Sequence, residues 1–167
     1  MTIRRLVVIA IVVAGSMLNP RVVAAQAGDF NFRFEDRHCS MERLDTFSGD
    51  FTRDRGGPAS IDKVALALTG AQMSAIYRAI ENIRFFDYPA AFVGVPADGK
   101  ERTTITPSST YRFEVRNAGK VHAISWTDSD TPTTVEADRL RDLFSMIRGF
   151  IHDHPAFKSL QPAGACL

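Results

Sequence analysis

Cysteine is scarce in this sequence, and motifs for nucleophilic or phosphate chemistry are missing. Only two of the 167 residues are cysteines, Cys39 and Cys166. Neither has a Cys-x-x-Cys partner, which argues against the commonest type of thiol redox centre. The nucleophile motif Gly-x-Ser-x-Gly is absent, and Gly56-Gly57-Pro58 lacks the lysine that follows in a phosphate-binding loop. The sequence therefore indicates no catalytic residue and no cofactor.

An excess of charge of either sign is also missing. The chain has 20 lysines and arginines and 19 acidic residues. Three of the bases (Arg4, Arg5 and Arg21) lie within the first 27 residues, which contain no acid. The remainder has 20 − 3 = 17 bases against 19 acids, a net charge of −2. Proteins that bind nucleic acids usually carry a clustered basic surface, so the composition argues against a nucleic-acid partner.

Residues 1–27 have the three-part pattern of a secretory signal peptide. Arg4 and Arg5 precede the apolar run Leu6–Leu18, and Ala25-Gln26-Ala27 forms an A-x-A cleavage site. The run is 18 − 6 + 1 = 13 residues long, shorter than the roughly 20 that span a bilayer. We expect cleavage after Ala27, with two alanines just upstream as alternative sites. The mature protein is then periplasmic or secreted, without stable membrane insertion; a retained anchor is the alternative.

Residues 28–167 form a single domain of ordinary length, and it is expected to be closed by a disulfide. An even number of cysteines in an exported protein favours pairing, here Cys39 with Cys166. Closing so long a loop contributes about 4–5 kcal/mol in the chain-entropy model. Two unpaired thiols are the alternative.

Alternating apolar residues predict strands in the first half of the chain. Phe30, Phe32 and Phe34 share one face, which we interpret as a core face. Leu44–Asp54 reads as a hairpin that turns at Ser48-Gly49. Ile61–Leu68 reads as a further strand, and the small residues on its second face suggest a central position in the sheet.

Two amphipathic helices follow from apolar stripes at helical spacing. The first begins at a capping box, Thr69 with Gln72, and ends before Pro89. The second runs from about Thr133 to His152, with a second capping box at Thr133 and Glu136 and with Arg148 facing water. The apolar stripes comprise Ile76, Ala79, Ile80, Ile83 and Phe86 in the first helix, and Leu140, Leu143, Phe144, Ile147, Phe150 and Ile151 in the second.

Between the helices lie an irregular segment and a second hairpin. Pro89–Ser109 has no period, and its apolar part Ala91–Val95 permits a lid over a groove; alternatively, Phe92 packs beneath the loop. Tyr111–Val115 and Val121–Trp126 form the hairpin, with a turn at Asn117-Ala118-Gly119, and the single tryptophan, Trp126, is assigned to the core.

These elements predict an α+β fold of two layers, a mainly antiparallel sheet with two helices on one face. The two helical stripes superimpose with an offset of 147 − 83 = 64 residues, and each helix ends in Asp-x-Pro. A tandem duplication of a strand-and-helix unit is one interpretation, and two independent solutions to the same packing problem are the other.

Candidate metal ligands are few. His152-Asp153-His154 would need His38 or His122 to complete a zinc site, whereas residues at a helix C-terminus also complement the helix dipole. Asp128-Ser129-Asp130 lacks the glycine and distal glutamate of a calcium loop, and we interpret it as a linker to the second helix. No metal site is assigned.

Several short motifs resemble those of a family of uncharacterised bacterial exported proteins. The matching residues are Leu44-Asp45-Thr46-Phe47, Gly49, Phe51-Thr52-Arg53-Asp54, Leu66-x-Leu68-Thr69, Ile76-Tyr77 and Phe85-Phe86-x-Tyr88-Pro89. The resemblance covers most of residues 28–167 and implies export. It implies no activity, cofactor or catalytic residue.

The sequence therefore favours a non-catalytic binding or interaction module of the bacterial envelope over an enzyme. Its partner is a protein or small molecule that the sequence does not identify. The expected contact surfaces are the Pro89–Ser109 loop and the sheet face without helices. The alternative is a small hydrolase or metal-dependent enzyme that uses His152 and His154 with a distant acid.

Overall fold

The computed structural model describes residues 29–38, 40–55, 60–96 and 103–162. Six strands form one antiparallel sheet in the order β4-β3-β2-β1-β5-β6. The strands are β1 Asn31–Arg37, β2 Met41–Asp45, β3 Asp50–Asp54, β4 Ile61–Ala65, β5 Thr103–Asn117 and β6 Lys120–Thr131.

Two helices cover one face of this sheet, so the predicted α+β architecture is confirmed. They are α1 Gly70–Asn82 and α2 Val135–Asp153; a 3₁₀ turn, Phe85–Asp87, follows α1, and a short helix, α3 Pro155–Lys158, follows α2. Each long helix follows an edge strand, β4 or β6, and returns onto the same face. Four strands precede α1, whereas two strands lie between α1 and α2, so the two proposed repeat units share only the edge strand and the capped helix.

The core lies between the sheet and the helices, and the phase of β1 sets its position. Phe30, Phe32 and Phe34 are almost completely buried, which confirms that they form a core face. Phe34 lies opposite Phe113 in β5, and its ring centroid is 5.2 Å from that of Phe144 in α2. Burial of each such side chain contributes about 1.5–3 kcal/mol, so β1 anchors both layers.

Both predicted hairpins form, and glycine occupies a left-handed position in each turn. Gly49 has φ 72° between β2 and β3, and Ala118 and Gly119 have φ 48° and 75° between β5 and β6. Two consecutive positive φ values match the type I′ geometry that suits the twist of paired strands.

The second hairpin is much longer than predicted, and the interpretation of residues 103–109 as irregular loop is wrong. β5 begins at Thr103 and pairs with β6 as far as Thr131, with a register shift between Thr104 and Ser109. Pro107 lies within that shift. Proline has no N–H for the ladder, so local pattern alone indicated a loop. Asp128-Ser129-Asp130 likewise belongs to β6 rather than to a linker.

The predicted central position of β4 is also wrong, because β4 forms one edge of the sheet. Ile61 is 68% exposed. Small side chains at Ala65 and Ala67 are compatible with either position, since they require no space on the outer face.

Both helices begin at threonine caps. Thr69 and Gln72 form the predicted capping box of α1. In α2 the cap is Thr134, whose Oγ1 accepts a hydrogen bond from Ala137 N at 3.2 Å; the prediction of Thr133 is wrong by one residue. Thr133 Oγ1 donates to Asp138 instead. Thr133 and Thr134 are equivalent cap candidates when only the local sequence is considered, and the path of the chain from β6 determines which of them caps α2.

Candidate functional site

A row of charged side chains crosses the sheet at one end of the core. Asp36 lies opposite Glu42, Glu42 opposite Arg53, and Arg53 opposite Asp62 in the strand pairing. These four residues, here called the polar row, lie on the helix-covered side of the sheet. They are two positions from the core-facing residues of the same strands, which are Phe34, Leu44, Phe51 and Val64.

The polar row was missed from sequence, although a signal for it exists. Each of the first four strands has a charged residue in phase with its apolar side chains, as Asp36 follows Phe30, Phe32 and Phe34. A charged residue at a core-facing position is uncommon unless it has a partner. Four of them at the same end of successive strands indicate a polar end to the core.

The last turns of α2 cover one half of the polar row. Arg148 and His152 are four residues apart and therefore lie on one helix face. Arg148 Nη1 donates to Asp36 Oδ2 at 3.2 Å, and His152 Nε2 is 3.5 Å from Glu42 Oε2. The prediction that Arg148 faces water is therefore wrong, because its long side chain reaches back to the sheet.

Asp36 is the residue of this group whose bonding is least complete. It is only 6% exposed. Its Oδ2 accepts from Arg148, but Oδ1 has no hydrogen-bond partner among the described residues. Desolvation is the main reason that its pKa is raised above the usual value; the charge of Glu42 adds to the effect, and Arg148 opposes it. An unsatisfied buried acceptor of this type costs roughly 1–3 kcal/mol.

Asp36 lines a cavity of about 310 Å³, here called the Asp36 pocket. The other lining residues are His38, Ser40, Glu42, Ser109, Arg148 and His152. His38 Nδ1 and Ser109 Oγ are 3.3 Å apart. A second cavity, of about 370 Å³, also has Glu42 and His152 in its lining, so the two cavities meet at this pair.

The other half of the polar row is fully bonded. Arg53 is 3% exposed and donates to Asp62 Oδ2 from Nε at 3.1 Å and from Nη2 at 2.7 Å. Its Nη2 also donates to the Gln161 carbonyl, and its guanidinium lies over the Phe157 ring. The Arg53 half of the row therefore serves the structure, and the unsatisfied acceptor lies in the Asp36 half.

The histidines considered as metal ligands have separate partners. His152 lines the Asp36 pocket and stacks on Phe157 with ring centroids 4.5 Å apart. His154 Nδ1 accepts from Ala156 N and so caps α3, while His122 lies against Phe85 and Phe86. Within residues 29–38, 40–55, 60–96 and 103–162, no three His, Cys, Asp or Glu side chains are grouped to hold a metal ion.

The residues of two other sequence patterns also bind separate partners. Asp128 accepts from Arg141 in α2 at 2.7 Å, which ties β6 to the helix. Ser60 and Lys63 have a Ser-x-x-Lys spacing, so the prediction that nucleophile motifs are missing is wrong for this pattern. In the structure Ser60 Oγ donates to Asp54 and Lys63 pairs with Asp50 on the open face, so they do not form a nucleophile–base pair.

The sheet face without helices, here called the open face, carries alternating charges. Arg33 pairs with Asp45 at 2.8 Å and with Glu114 at 3.4 Å, and Arg37 pairs with Glu35 at 2.8 Å. A shallow groove of about 450 Å³ crosses this face. Exposed pairs contribute about 0–1 kcal/mol each, and this pattern is typical of the solvated face of an antiparallel sheet.

Residues 90–94 of the Pro89–Ser109 segment are bonded to the edge of β6. Ser125 N donates to the Ala90 carbonyl at 2.8 Å, and Phe92 N donates to the Ser125 carbonyl at 3.0 Å. The Phe92 ring is 5.5 Å from Trp126. Residues 90–94, here called the edge segment, therefore extend the sheet and pack on the core, as the second interpretation of Phe92 predicted, and do not form a lid.

The predicted signal peptide, Cys39, Cys166 and Gly56-Gly57-Pro58 lie outside the described residues. In the part of the chain that the structure describes, no helix has the length and apolar character needed to cross a bilayer. No protein-family model matches the chain, and no curated protein matches it significantly.

Proposed function

We propose that this chain is an exported, non-catalytic binding module of the bacterial envelope that binds a small polar ligand in the Asp36 pocket. One observation carries the proposal: Asp36 lines the cavity, and its Oδ1 is buried and has no hydrogen-bond partner among the described residues. Buried polar atoms are almost always hydrogen-bonded. A ligand that supplies a donor to this oxygen removes the penalty of leaving it unsatisfied.

Perturbed carboxylates in cavities are also typical of functional sites. The pKa of Asp36 is raised, mainly by desolvation. Its surroundings therefore favour the protonated carboxyl group, or a carboxylate that accepts a hydrogen bond from a ligand. Elsewhere the buried charges are matched, as Arg53 is by Asp62. Among the described residues, Asp36 is thus the buried charged group without a full set of partners; the other buried side-chain atom without a hydrogen bond is His122 Nε2, which lies against Phe85 and Phe86.

Export rests on the signal pattern of residues 1–27, with cleavage after Ala27 and a disulfide between Cys39 and Cys166. N-terminal sequencing of the secreted protein and thiol alkylation with and without reductant check these two parts. An uncut N-terminus or two alkylated cysteines without reductant would refute them.

A small hydrolase is the second candidate function, because Asp36 and Glu42 form a pair of facing carboxyl groups. With its pKa raised by desolvation, Asp36 is suited to donate a proton, and Glu42 beside His152 is suited to accept one. This candidate uses Asp36 and Glu42 instead of the predicted pair His152 and His154, because His154 caps α3. Turnover of a glycoside or ester substrate that is lost in Asp36→Asn would favour this alternative.

Fragment binding followed by NMR tests the binding proposal. We expect a set of small amines, polyols and amides to include compounds that shift the amide signals of residues lining the Asp36 pocket. Asp36→Asn should abolish these shifts, and Asp142→Asn, which removes an exposed acid in α2, should preserve them. Shifts confined to the open face, or none, would contradict the proposal.

A further inference from the structure

The charges that face the Asp36 pocket are incompletely balanced. Two carboxylates, Asp36 and Glu42, line the cavity together with one arginine, Arg148. Arg148 already donates to Asp36 Oδ2, and the ion-pair partner of Glu42 among the described residues is His152, at 3.5 Å. Counting the histidines as neutral, the cavity has a formal charge of −1. An anionic ligand would therefore meet two carboxylates, whereas a cationic group would complete the balance.

The arginine of the polar row does not supply the missing charge. Arg53 lies opposite Glu42 in the pairing of β2 with β3, but its guanidinium donates to Asp62 and to the Gln161 carbonyl. It lines the second cavity and not the Asp36 pocket. Among the described residues, no positive side chain is therefore paired with Asp36 Oδ1.

The acceptors of the pocket also match a group with several donors. Asp36 Oδ1 has no hydrogen-bond partner in the described part of the chain, Glu42 supplies a second carboxylate on the neighbouring strand, and Ser109 Oγ supplies a hydroxyl. Residues directly opposite on antiparallel strands have Cβ atoms about 4.5–5.5 Å apart, so one compact group can contact both acids. An ammonium has three donors, and a hydroxyl has one.

We propose that the Asp36 pocket binds the primary ammonium group of a small aliphatic amine. This inference rests on the proposed function and adds the chemical class of the ligand. A volume of about 310 Å³ is at the small end of ligand cavities, which suits a short chain better than a polymer or a peptide. Arg148 keeps Asp36 oriented, and the ammonium occupies the position beside Oδ1.

Titration with a charged ligand and its neutral counterpart tests the inference. n-Butylammonium and n-butanol have nearly the same shape, and each is added to the purified protein at pH 7 while the amide signals of the pocket are followed by NMR. Charge-assisted hydrogen bonds are about twice as strong as neutral ones. We therefore expect n-butylammonium to bind at least about tenfold more tightly than n-butanol, with weaker binding at high salt.

Two variants extend the test beyond a single substitution. Asp36→Asn and Glu42→Gln should each weaken n-butylammonium binding by roughly tenfold or more, whereas Asp142→Asn should leave it unchanged. Equal binding of the alcohol and the amine by the unmodified protein would overturn the ammonium assignment, whether or not either variant folds.

The two proposals fail in different ways. If polyols or amides shift the pocket signals and n-butylammonium does not, the ammonium class is wrong and the binding function stands. If no compound of any class shifts them, both proposals are wrong.

Discussion

At the scale of single residues, two aspartates of this sheet have opposite electrostatic surroundings. Asp45 lies on the open face. Desolvation raises its pKa, but hydrogen bonds from Arg33 and Phe47 N–H, with the charges of Arg33 and Arg43, together outweigh desolvation, so the pKa lies below the usual value. Asp36 lies on the helix-covered face, where desolvation outweighs the attraction of Arg148 and its pKa is raised. The side of the sheet, rather than the residue type, determines the direction.

The raised pKa of Asp36 predicts a specific pH dependence of stability. A group whose pKa is higher in the folded state contributes stability at low pH that is lost as pH rises through its folded pKa. Asp36→Asn cannot titrate. We therefore expect the free energy of unfolding of the variant minus that of the unmodified protein to increase as pH rises above about 3.9, the usual aspartate pKa.

Urea unfolding from about pH 3 to about pH 7 measures this difference. The neighbours that influence it are Glu42 from β2, His38 from the end of β1 and Arg148 from α2. Asp142→Asn, at an exposed position, should give a difference that changes little with pH. A difference that falls with rising pH in Asp36→Asn would show that the pKa is lowered instead.

In the candidate site, the burial of Asp36 follows from local sequence, whereas its contact with Arg148 does not. The phase that places Asp36 beneath the helices is already present in Phe30, Phe32 and Phe34, so its burial was predictable. Its partner was not, since Arg148 is 112 residues away in sequence. Helical spacing predicted that Arg148 faces water, because a periodic pattern does not show how far a long side chain can extend.

At the scale of elements, the edge segment (residues 90–94) shows how an irregular stretch completes a sheet. β6 would otherwise present unpaired backbone groups along its outer side, a liability of edge strands. Hydrogen bonds between Ser125 and the edge segment satisfy two of these groups. Gly94 then passes so close to Trp126 that an added Cβ would lie 2.9 Å from the indole Nε1 and 3.1 Å from Ala137 Cβ.

Substitution of Gly94 by alanine is therefore expected to destabilise the protein. The added methyl group would displace Trp126, which is only 3% exposed. Overpacking a core in this way typically costs 1–3 kcal/mol, and we expect about 2 kcal/mol here. The matched control is Gly149→Ala in α2, where no atom lies within 4 Å of the added Cβ. That change should stabilise the helix by roughly 0.5–1 kcal/mol.

Urea unfolding and the fluorescence of the single tryptophan provide the measurements. Gly94→Ala should lower the unfolding midpoint and alter the Trp126 emission, whereas Gly149→Ala should raise the midpoint and leave the emission unchanged. Equal effects of the two substitutions would mean that residues 90–94 are not held against β6.

At the scale of the whole molecule, Arg53 joins parts of the chain that are distant in sequence. It belongs to β3, binds Asp62 of edge strand β4 and donates to the carbonyl of Gln161, 108 residues away. The ring of Phe157 in α3 lies beneath its guanidinium. One buried arginine thus connects the sheet to the segment that follows the last helix.

Removal of this arginine should be strongly destabilising. Arg53→Ala leaves Asp62 and the Gln161 carbonyl without their donor, and breaking a buried ion pair in this way costs about 3–5 kcal/mol. Arg78→Ala, at an exposed position in α1, should change the free energy of unfolding by less than about 0.5 kcal/mol.

Chemical denaturation gives the total effect, and hydrogen exchange locates it. Exchange in Arg53→Ala should accelerate first in β4 and after α3, because these are the parts that Arg53 holds. A loss of stability no larger than that of Arg78→Ala would show that the ion pair contributes little.

Local order was largely determined by the sequence. Alternation at Phe30–Phe34 placed the core face, Thr69 with Gln72 began α1, and Gly49 and Gly119 located the turns, because each depends on a few neighbouring residues. The tertiary structure decided which strands form the edges and how far β5 extends past Pro107. It also decided that the carboxylate of Asp36 accepts a hydrogen bond from Arg148 beneath α2. Those outcomes depend on contacts between residues far apart in the chain, and such contacts leave no period in the sequence.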